Sequence, residues 1–399
     1  MKILSNVKFV IVVIGLLLMI YPKSSAIELI ENNNISTDSL KIGNSFEVAE
    51  SEDIPPSGFT VLKAEQITLM DSSKTGSQTL LESEDTAVTD IHIKKSDFIY
   101  ADNQRYTLTG ELPLKKTDIR PLPFSLFLGA GAVFIATQHI YQVATIWDST
   151  THFKFLEDGK YALYVDKLGH IYGSYIMATY IQDGLYLSGL SKESAAIWAA
   201  VFGLGYSTYV EIMDGFGVGW GFSPTDYYCD VIGSCYFLAQ HYVPFLQNFT
   251  PKFSYFPGEW YGEHTRKEAK IFIDDYSGQN FSLSINVHNL LPEKAKPYWP
   301  DWLQLNIGYA ARNLSNTGDL NSIYKHEFYE WGAQQNVWGE RKLILSLDYN
   351  LVKLLPDGSP FWNWLRQSLN NFKFPSPAME YGLDDKNVKF FILYPFPIF

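Results

Sequence analysis

The sequence predicts an α+β protein: a bundle of four or five apolar helices, then a small antiparallel β-sheet, with a disordered N-terminal segment ahead of both. Three features predict it. Charge-poor stretches recur between residues 121 and 248, apolar–polar alternation dominates beyond about residue 265, and neither pattern is present before about residue 92.

The N-terminus sets the compartment. Lys2 and Lys8 make a basic start, Phe9 to Tyr21 is an unbroken apolar run of 13 residues, and small residues end the stretch at Ser25 and Ala26. This layout predicts a cleaved secretory signal over residues 1–26, because the run is short for a membrane helix or an uncleaved anchor. Its removal would take three lysines and no acid, moving the formal charge from −12 to −15. Such a balance argues against nucleic acid, which selects basic surfaces. The only cysteines are Cys229 and Cys235, so no lipid-attachment Cys is expected near the cleavage site. Six residues apart on a helix they are separated by a rise of ~9 Å, beyond disulfide reach, and two buried thiols are expected.

Residues 27–92 are rich in Ser, Thr, Asp, Glu and Asn with scattered single hydrophobics. Too little apolar surface is available there to offset ordering entropy, so a disordered tether is expected. Residues 93–120 form a short β/linker region, with Phe98, Tyr100, Tyr106 and Leu108 as candidate strand residues.

Helical texture begins at Pro121. Pro121 to Trp147 is 27 residues without Asp, Glu, Lys or Arg, long enough to cross a bilayer. Gly129, Gly131 and Ala136 give it a small-residue face on which another helix could pack. Further charge-poor stretches at Ile171 to Gln182, Ser194 to Val210 and Val231 to Thr250 complete a bundle over residues 121–250. A mean hydropathy of −0.07 for the whole chain does not favour a fully polytopic protein.

Over residues 265–399 the period becomes two: Phe281 to His288, Leu303 to Tyr309, Leu343 to Leu351 and Val388 to Phe396 alternate apolar and polar. Runs of this kind are half-buried antiparallel strands. The four or five strands counted fall short of the eight a single-chain barrel needs. Pro395 and Pro397 mark the last strand as an edge, and a small sheet packed on the helices is expected. An aromatic content of 16% suits interfacial belts or a large aromatic core.

Three clusters carry the candidate chemistry. Asp166 and Lys167 precede His170, and Asp166 and His170, four apart, share a helix face. Glu211 and Asp214, three apart, share another. Asp226 and Asp230 share a third, preceded by Ser223 and Pro224, which read as an N-cap and a first helical position with Asp226 as the capping-box acid. Taken singly, each cluster has a structural reading: a solvated pair, a polar helix end, a cap. Taken together, five carboxylates, one His and one Lys project from nearly charge-free helices, and buried charge must pair, be protonated or bind something. One solution is a divalent metal held by His170, Glu211, Asp214 and Asp230. The other is a hydrogen-bonded network that locks the helices together.

These clusters, with Gly215 and Gly233, resemble the signature of the YfiM-like family over about residues 155–245. That family is a domain of unknown function described as predicted periplasmic lipoproteins. The flank Trp220 to Ser223 and the C-terminal sheet look like the longer, Bacteroidetes-type members, and the order of the acidic clusters is distantly similar to VanZ-like membrane proteins. The resemblance implies one site and a periplasm-facing, membrane-associated envelope location, with the outer membrane as one option. It implies no settled activity.

Two classes of function follow. One is an interaction or scaffolding protein of the envelope, with membrane lipid or an envelope protein as partner, no nucleic acid, and the clusters as a structural network. The alternative is a metal-dependent hydrolase or transferase acting on a lipid or cell-wall substrate, with Asp166, Lys167, His170, Glu211, Asp214, Asp226 and Asp230 as its polar machinery.

Overall fold

The computed structural model of the chain describes residues 91–261, 273–315, 324–330 and 333–397. The expected signal and all but the last two residues of the expected tether lie outside these residues; Ile91 and His92 pair with Lys115 and Leu114. The described part is α+β, with four long helices, short helical turns and an antiparallel sheet.

A two-residue hairpin, β1 (Ile99–Tyr100) with β2 (Asn103–Gln104), precedes the long helices α1 (Pro121–Thr145), α2 (Val165–Leu187), α3 (Lys192–Asp214) and α4 (Pro224–Tyr242). The starts of α3 and α4 are capped as their sequences dictate. Ser191 accepts from the Ser194 amide, and Ser223 accepts from the Asp226 amide with Pro224 in the first turn.

Small residues bring α2, α3 and α4 together. A Cβ on Gly203 would stand 3.1 Å from the Ala178 amide nitrogen, and one on Gly233 would stand 2.1 Å from the Ile171 carbonyl oxygen. Ala178, Ala195, Ala199 and Leu185 fill the shared core. The helices are less uniformly apolar than expected: α2 buries Asp166, Lys167, Gln182 and Asp183. The small-residue face of α1 is a correction of a different kind. Nothing among the described residues lies within 4 Å of a Cβ built at Gly129 or Gly131, and α1 instead lays Phe127 against Gly184 of α2. Both α1 and α3 are long and apolar enough to cross a membrane by length and composition alone.

Among the described residues the sheet has seven strands rather than four or five: β3 (Phe249–Tyr255), β4 (Gln279–Ile285), β5 (Leu303–Ser315), β6 (Lys325–Glu330), β7 (Ala333–Tyr349), β8 (Ala378–Gly382) and β9 (Val388–Phe391). Its order is β3-β4-β5-β7-β8-β9, with β6 on the outer half of β7, and every pairing is antiparallel. β9 is an edge strand, as expected of the last strand, and it ends at Phe391, ahead of Pro395 and Pro397. The other edge, β3, exchanges backbone bonds with a later segment: the Phe253 amide donates to the Asn371 carbonyl and the Lys373 amide donates to the Phe253 carbonyl.

The sheet is strongly curled. Lys252 on β3 reaches Asp348 on β7 at 2.7 Å, although β4 and β5 separate the two strands. Three inter-strand steps in a flat sheet would put them ~14 Å apart. Ser284 likewise bonds Asp348 at 2.6 Å, and Tyr394 bonds both Arg312 and Glu380 at 2.9 Å. Every one of these groups is buried. The alternate residues, among them Leu283, Ile307, Leu343 and Leu345, point the other way and are more than a third exposed. At one end of that apolar side the helices make contact: Tyr172 of α2 stacks on Phe253 at 5.6 Å and meets Phe281 at 6.0 Å.

The two cysteines both lie on α4 and are free; Cys229 is buried, whereas Cys235 is exposed. Six residues turn a helix by well over a full turn, so they do not share a face.

Candidate functional site

The site is built where the first turn of α2 meets the last turn of α3 and the first two turns of α4. The lead into α2 is unusual. Ala162, Leu163 and Tyr164 hold positive φ values of 48°, 52° and 73°, a left-handed run that non-glycine residues adopt only under constraint. Ala162 and Leu163 are buried, and the Leu163 carbonyl accepts from the Tyr309 hydroxyl of β5 at 2.7 Å. This turn delivers Asp166 and Lys167 into the interior at the start of α2, where the helix dipole favours a carboxylate.

Lys167 Nζ is the hub of one half. It stands 2.6 Å from Asp166 Oδ2, 2.7 Å from Asp158 Oδ1 and 2.5 Å from Asp226 Oδ1. Tyr276, just ahead of β4, donates to Asp166 Oδ1 at 2.7 Å. His170, one turn along α2, is the centre of the other half. Its Nδ1 lies 3.2 Å from Asp230 Oδ1 and 3.7 Å from Glu211 Oε1. Its Nε2 lies 3.7 Å from Asp226 Oδ1 and 3.8 Å from Asp166 Oδ1. Ser174 adds a donor to Asp230 Oδ1 at 2.9 Å, and the Ser223 amide donates to Glu211 Oε2 at 3.2 Å. Asp230 Oδ2, fully buried, has no hydrogen-bond partner among the described residues.

The electrostatics split the acids into two sorts. Burial raises the Asp166 carboxyl, but Lys167, His170 and the Tyr276 hydroxyl outweigh it and hold the group down at about 2. Burial, with the Asp166 charge beside it, pushes Asp226 up to about 9. Neighbouring carboxylates that share one cation cannot both ionise freely, and the pair separates into an anion and an acid. Burial also lifts Glu211 to about 8 and Asp214 to about 7. Burial opposes charge on His170 and Lys167 too, yet the surrounding carboxylates raise both well above their usual values.

Above this floor lies a cavity of about 460 Å³. Trp147, Ile176, Met177, Tyr206, Trp220 and Phe281 are among its walls, and Asp166, His170, Asp214, Asp226 and Asp230 open onto it. Gly169 and Gly173 line this space, and a Cβ on Gly173 would meet nothing within 4 Å.

Each residue predicted from the three clusters is thus in or beside one pocket. Asp166, His170, Glu211, Asp226 and Asp230 surround the imidazole. Asp214 stands apart from it, accepting from Trp147 Nε1 at 2.5 Å. The capping-box reading of Asp226 is corrected. Its amide is capped by Ser223, but its carboxylate faces Lys167, and Glu211 from α3 takes the Ser223 amide. Sequence reasoning missed Asp158, Trp147, Ser174 and Tyr276. Trp147 ends the charge-free run and Asp158 precedes Gly159, each a local hint, whereas Tyr276 is 110 residues from its partner and carries no signal.

Residues 154–240 match the model of a family described as predicted periplasmic lipoprotein (DUF2279). The matched segment holds all seven predicted site residues and agrees with the YfiM-like resemblance. No curated protein and no solved structure matches the chain. The family match supports an exported, periplasm-facing protein of the cell envelope.

Proposed function

We propose that the cluster is a divalent-cation site on the floor of a pocket for an amphipathic envelope molecule, and that the protein carries out metal-dependent hydrolysis or group transfer on it. The coincidence of a charged floor with an apolar-walled cavity of about 460 Å³ carries this reading, since a purely structural network needs no cavity. His170 Nδ1, Glu211 and Asp230 offer ligand atoms all within 4.8 Å of one another. Metal–ligand bonds of ~2.1 Å place donors roughly 3–3.5 Å apart, so a small closure of this trio suffices, and Asp230 Oδ2 adds a further oxygen. The opposite nitrogen, Nε2, faces Asp166 and Asp226, as the outer carboxylate of a metal-bound histidine does. A bound cation would polarise an ester or phosphoryl oxygen and acidify a water. Asp226, pushed up to about 9, and Asp214, lifted to about 7, are placed to give or take a proton. Trp147, Trp220 and Met177 would hold the apolar part of a lipid or cell-wall substrate.

One observation favours the scaffolding reading instead. Lys167 already pairs with three carboxylates, which could close the network without a cation. The protein would then serve as a platform for membrane lipid or an envelope protein, with nucleic acid disfavoured by its charge of −12.

Metal analysis and thermal melting separate the two. On the cation reading, chelator lowers the wild-type melt by several degrees, since a ligand at a hundred times its Kd adds about 2.7 kcal/mol and each kcal/mol is about 2–4 °C. Glu211→Gln should be indifferent to chelator. Ser223→Ala is the control, losing a cap worth about 1 kcal/mol whatever the ion. A wild-type melt that ignores chelator and added divalent ions selects the scaffold.

A further inference from the structure

We infer that the outward face of the sheet is a lipid-contacting surface, seated against the acyl chains of a membrane. The face is continuous across strands. Ile307 lies between Leu283 on β4 and Leu345 on β7, and Leu345 lies beside Met379 on β8. Between the Phe281–Tyr309–Leu343–Tyr381 row and the Ile285–Leu305–Leu347 row the outward positions carry no charged side chain, and Arg341, the next outward residue of β7, is ion-paired with Asp384.

The inward positions of the same strands are the reverse. Lys252, Asn306, Arg312, Lys342 and Asp348 are each about 1% exposed or less. A sheet folding in water turns its apolar side inward, because burying charge costs more than exposing leucine. Hydrocarbon inverts the preference: polar groups must satisfy one another inside, and the outside must be apolar.

The ends of the belt fit the same solvent. At the end away from α2, Trp302 stacks on Tyr349 at 6.5 Å. At the other end Tyr381 lies beside Leu343, across it from Tyr309, whose hydroxyl is taken up by the Leu163 carbonyl. Aromatic side chains with a polar tip prefer the membrane–water boundary. From Leu303 to Tyr309 the strand rises ~20 Å, close to the ~25 Å apolar band of outer-membrane sheets. The charge argument selects lipid over a protein partner. A protein docking on this area would bring polar groups of its own, and the belt offers them nothing to pair with; acyl chains require nothing.

The test uses the full chain with Cys229 and Cys235 replaced by Ala and an environment-sensitive fluorophore on Ile307→Cys, Leu345→Cys or, as control, the exposed Lys116→Cys. Each is mixed with phosphatidylethanolamine–phosphatidylglycerol vesicles whose acyl chains are brominated, then floated on sucrose. Far-UV circular dichroism checks that each labelled protein is folded. The expected result is loss of most emission at positions 307 and 345 in the floated protein, with position 116 quenched by aqueous iodide only. Flotation driven by α1 alone would leave 307 and 345 open to iodide and overturn the inference. Protection of both positions from bromine and iodide alike would overturn it too, showing that another protein surface covers the face, whether a second copy or residues 1–90. Should the labelled belt variants not fold, unlabelled wild type and Ile307→Lys are compared by detergent phase partitioning. Equal partitioning of the two refutes the belt.

Discussion

The helices and the sheet both bury charge, and they do so with opposite stoichiometry. Inside the sheet the cations are matched: Lys252 meets Asp348, Lys342 meets Glu340 and Asp385, and Arg312 spends its donors on carbonyls, Asn280 and Tyr394. In the helical site Asp158, Asp166, Glu211, Asp214, Asp226 and Asp230 surround only Lys167 and His170. A balanced interior specifies a shape. An interior with surplus acid must hold protons or accept a cation, and in this protein the surplus opens onto a cavity.

The largest expected effect breaks the balanced side. Lys252→Met leaves Asp348 buried without its nearest cation, and loss of one partner of a buried pair costs about 3–5 kcal/mol. Denaturant unfolding should show that loss with or without divalent ions. A loss under 1 kcal/mol, or one restored by a metal, would erase the distinction between the two regions.

A smaller effect sharpens the unbalanced side through pH. Glu211, Asp214 and Asp226 titrate at about 8, 7 and 9 when folded, above the ordinary carboxylate range near 4. Between pH 5 and 9 the folded chain therefore holds protons that the unfolded chain has released. Stability should fall as pH rises through that window. Asp166 has the opposite sign, but its depressed value of about 2 places its effect below pH 4. Melting followed from pH 5 to 9 in chelator should show the decline, and a saturating divalent ion should flatten it by replacing those protons. A melt rising with pH in chelator would mean the acids are ionised and paired.

The smallest effect concerns Tyr276. Removing its hydroxyl in Tyr276→Phe deletes one donor to Asp166 and should cost about 1–2 kcal/mol. The added instability should grow at alkaline pH, where Asp226 ionises beside Asp166. An unchanged unfolding midpoint at pH 9 would show that Asp166 does not depend on that bond.

The site was legible in sequence because helix spacing is a local code. Carboxylates three and four apart on charge-poor helices had to share faces, and the faces met. Its aromatic and hydroxyl partners were not legible, because Tyr276 reaches Asp166 from beyond the bundle and Trp147 looks like one more apolar residue. In the sheet, alternation revealed β4, β5 and much of β7. The strand β3 was hidden by Pro251 and Lys252, and β6 and β8 by charges within short runs. Period two also says nothing about which side faces in. The polar positions of β5 look equally suited to solvent or to an interior, and only the curl that brings Lys252 to Asp348 decides.

The left-handed turn before α2 has a mechanical consequence. Each of its three positive-φ residues costs of order 1–3 kcal/mol when held outside its preferred region, so the segment is a wound spring. Its catch is the Tyr309 hydroxyl on the Leu163 carbonyl, which belongs to the sheet. The start of the helix bearing Asp166 and Lys167 is therefore clamped from outside the bundle. Slippage of β5 would let that segment unwind and carry the hub lysine with it.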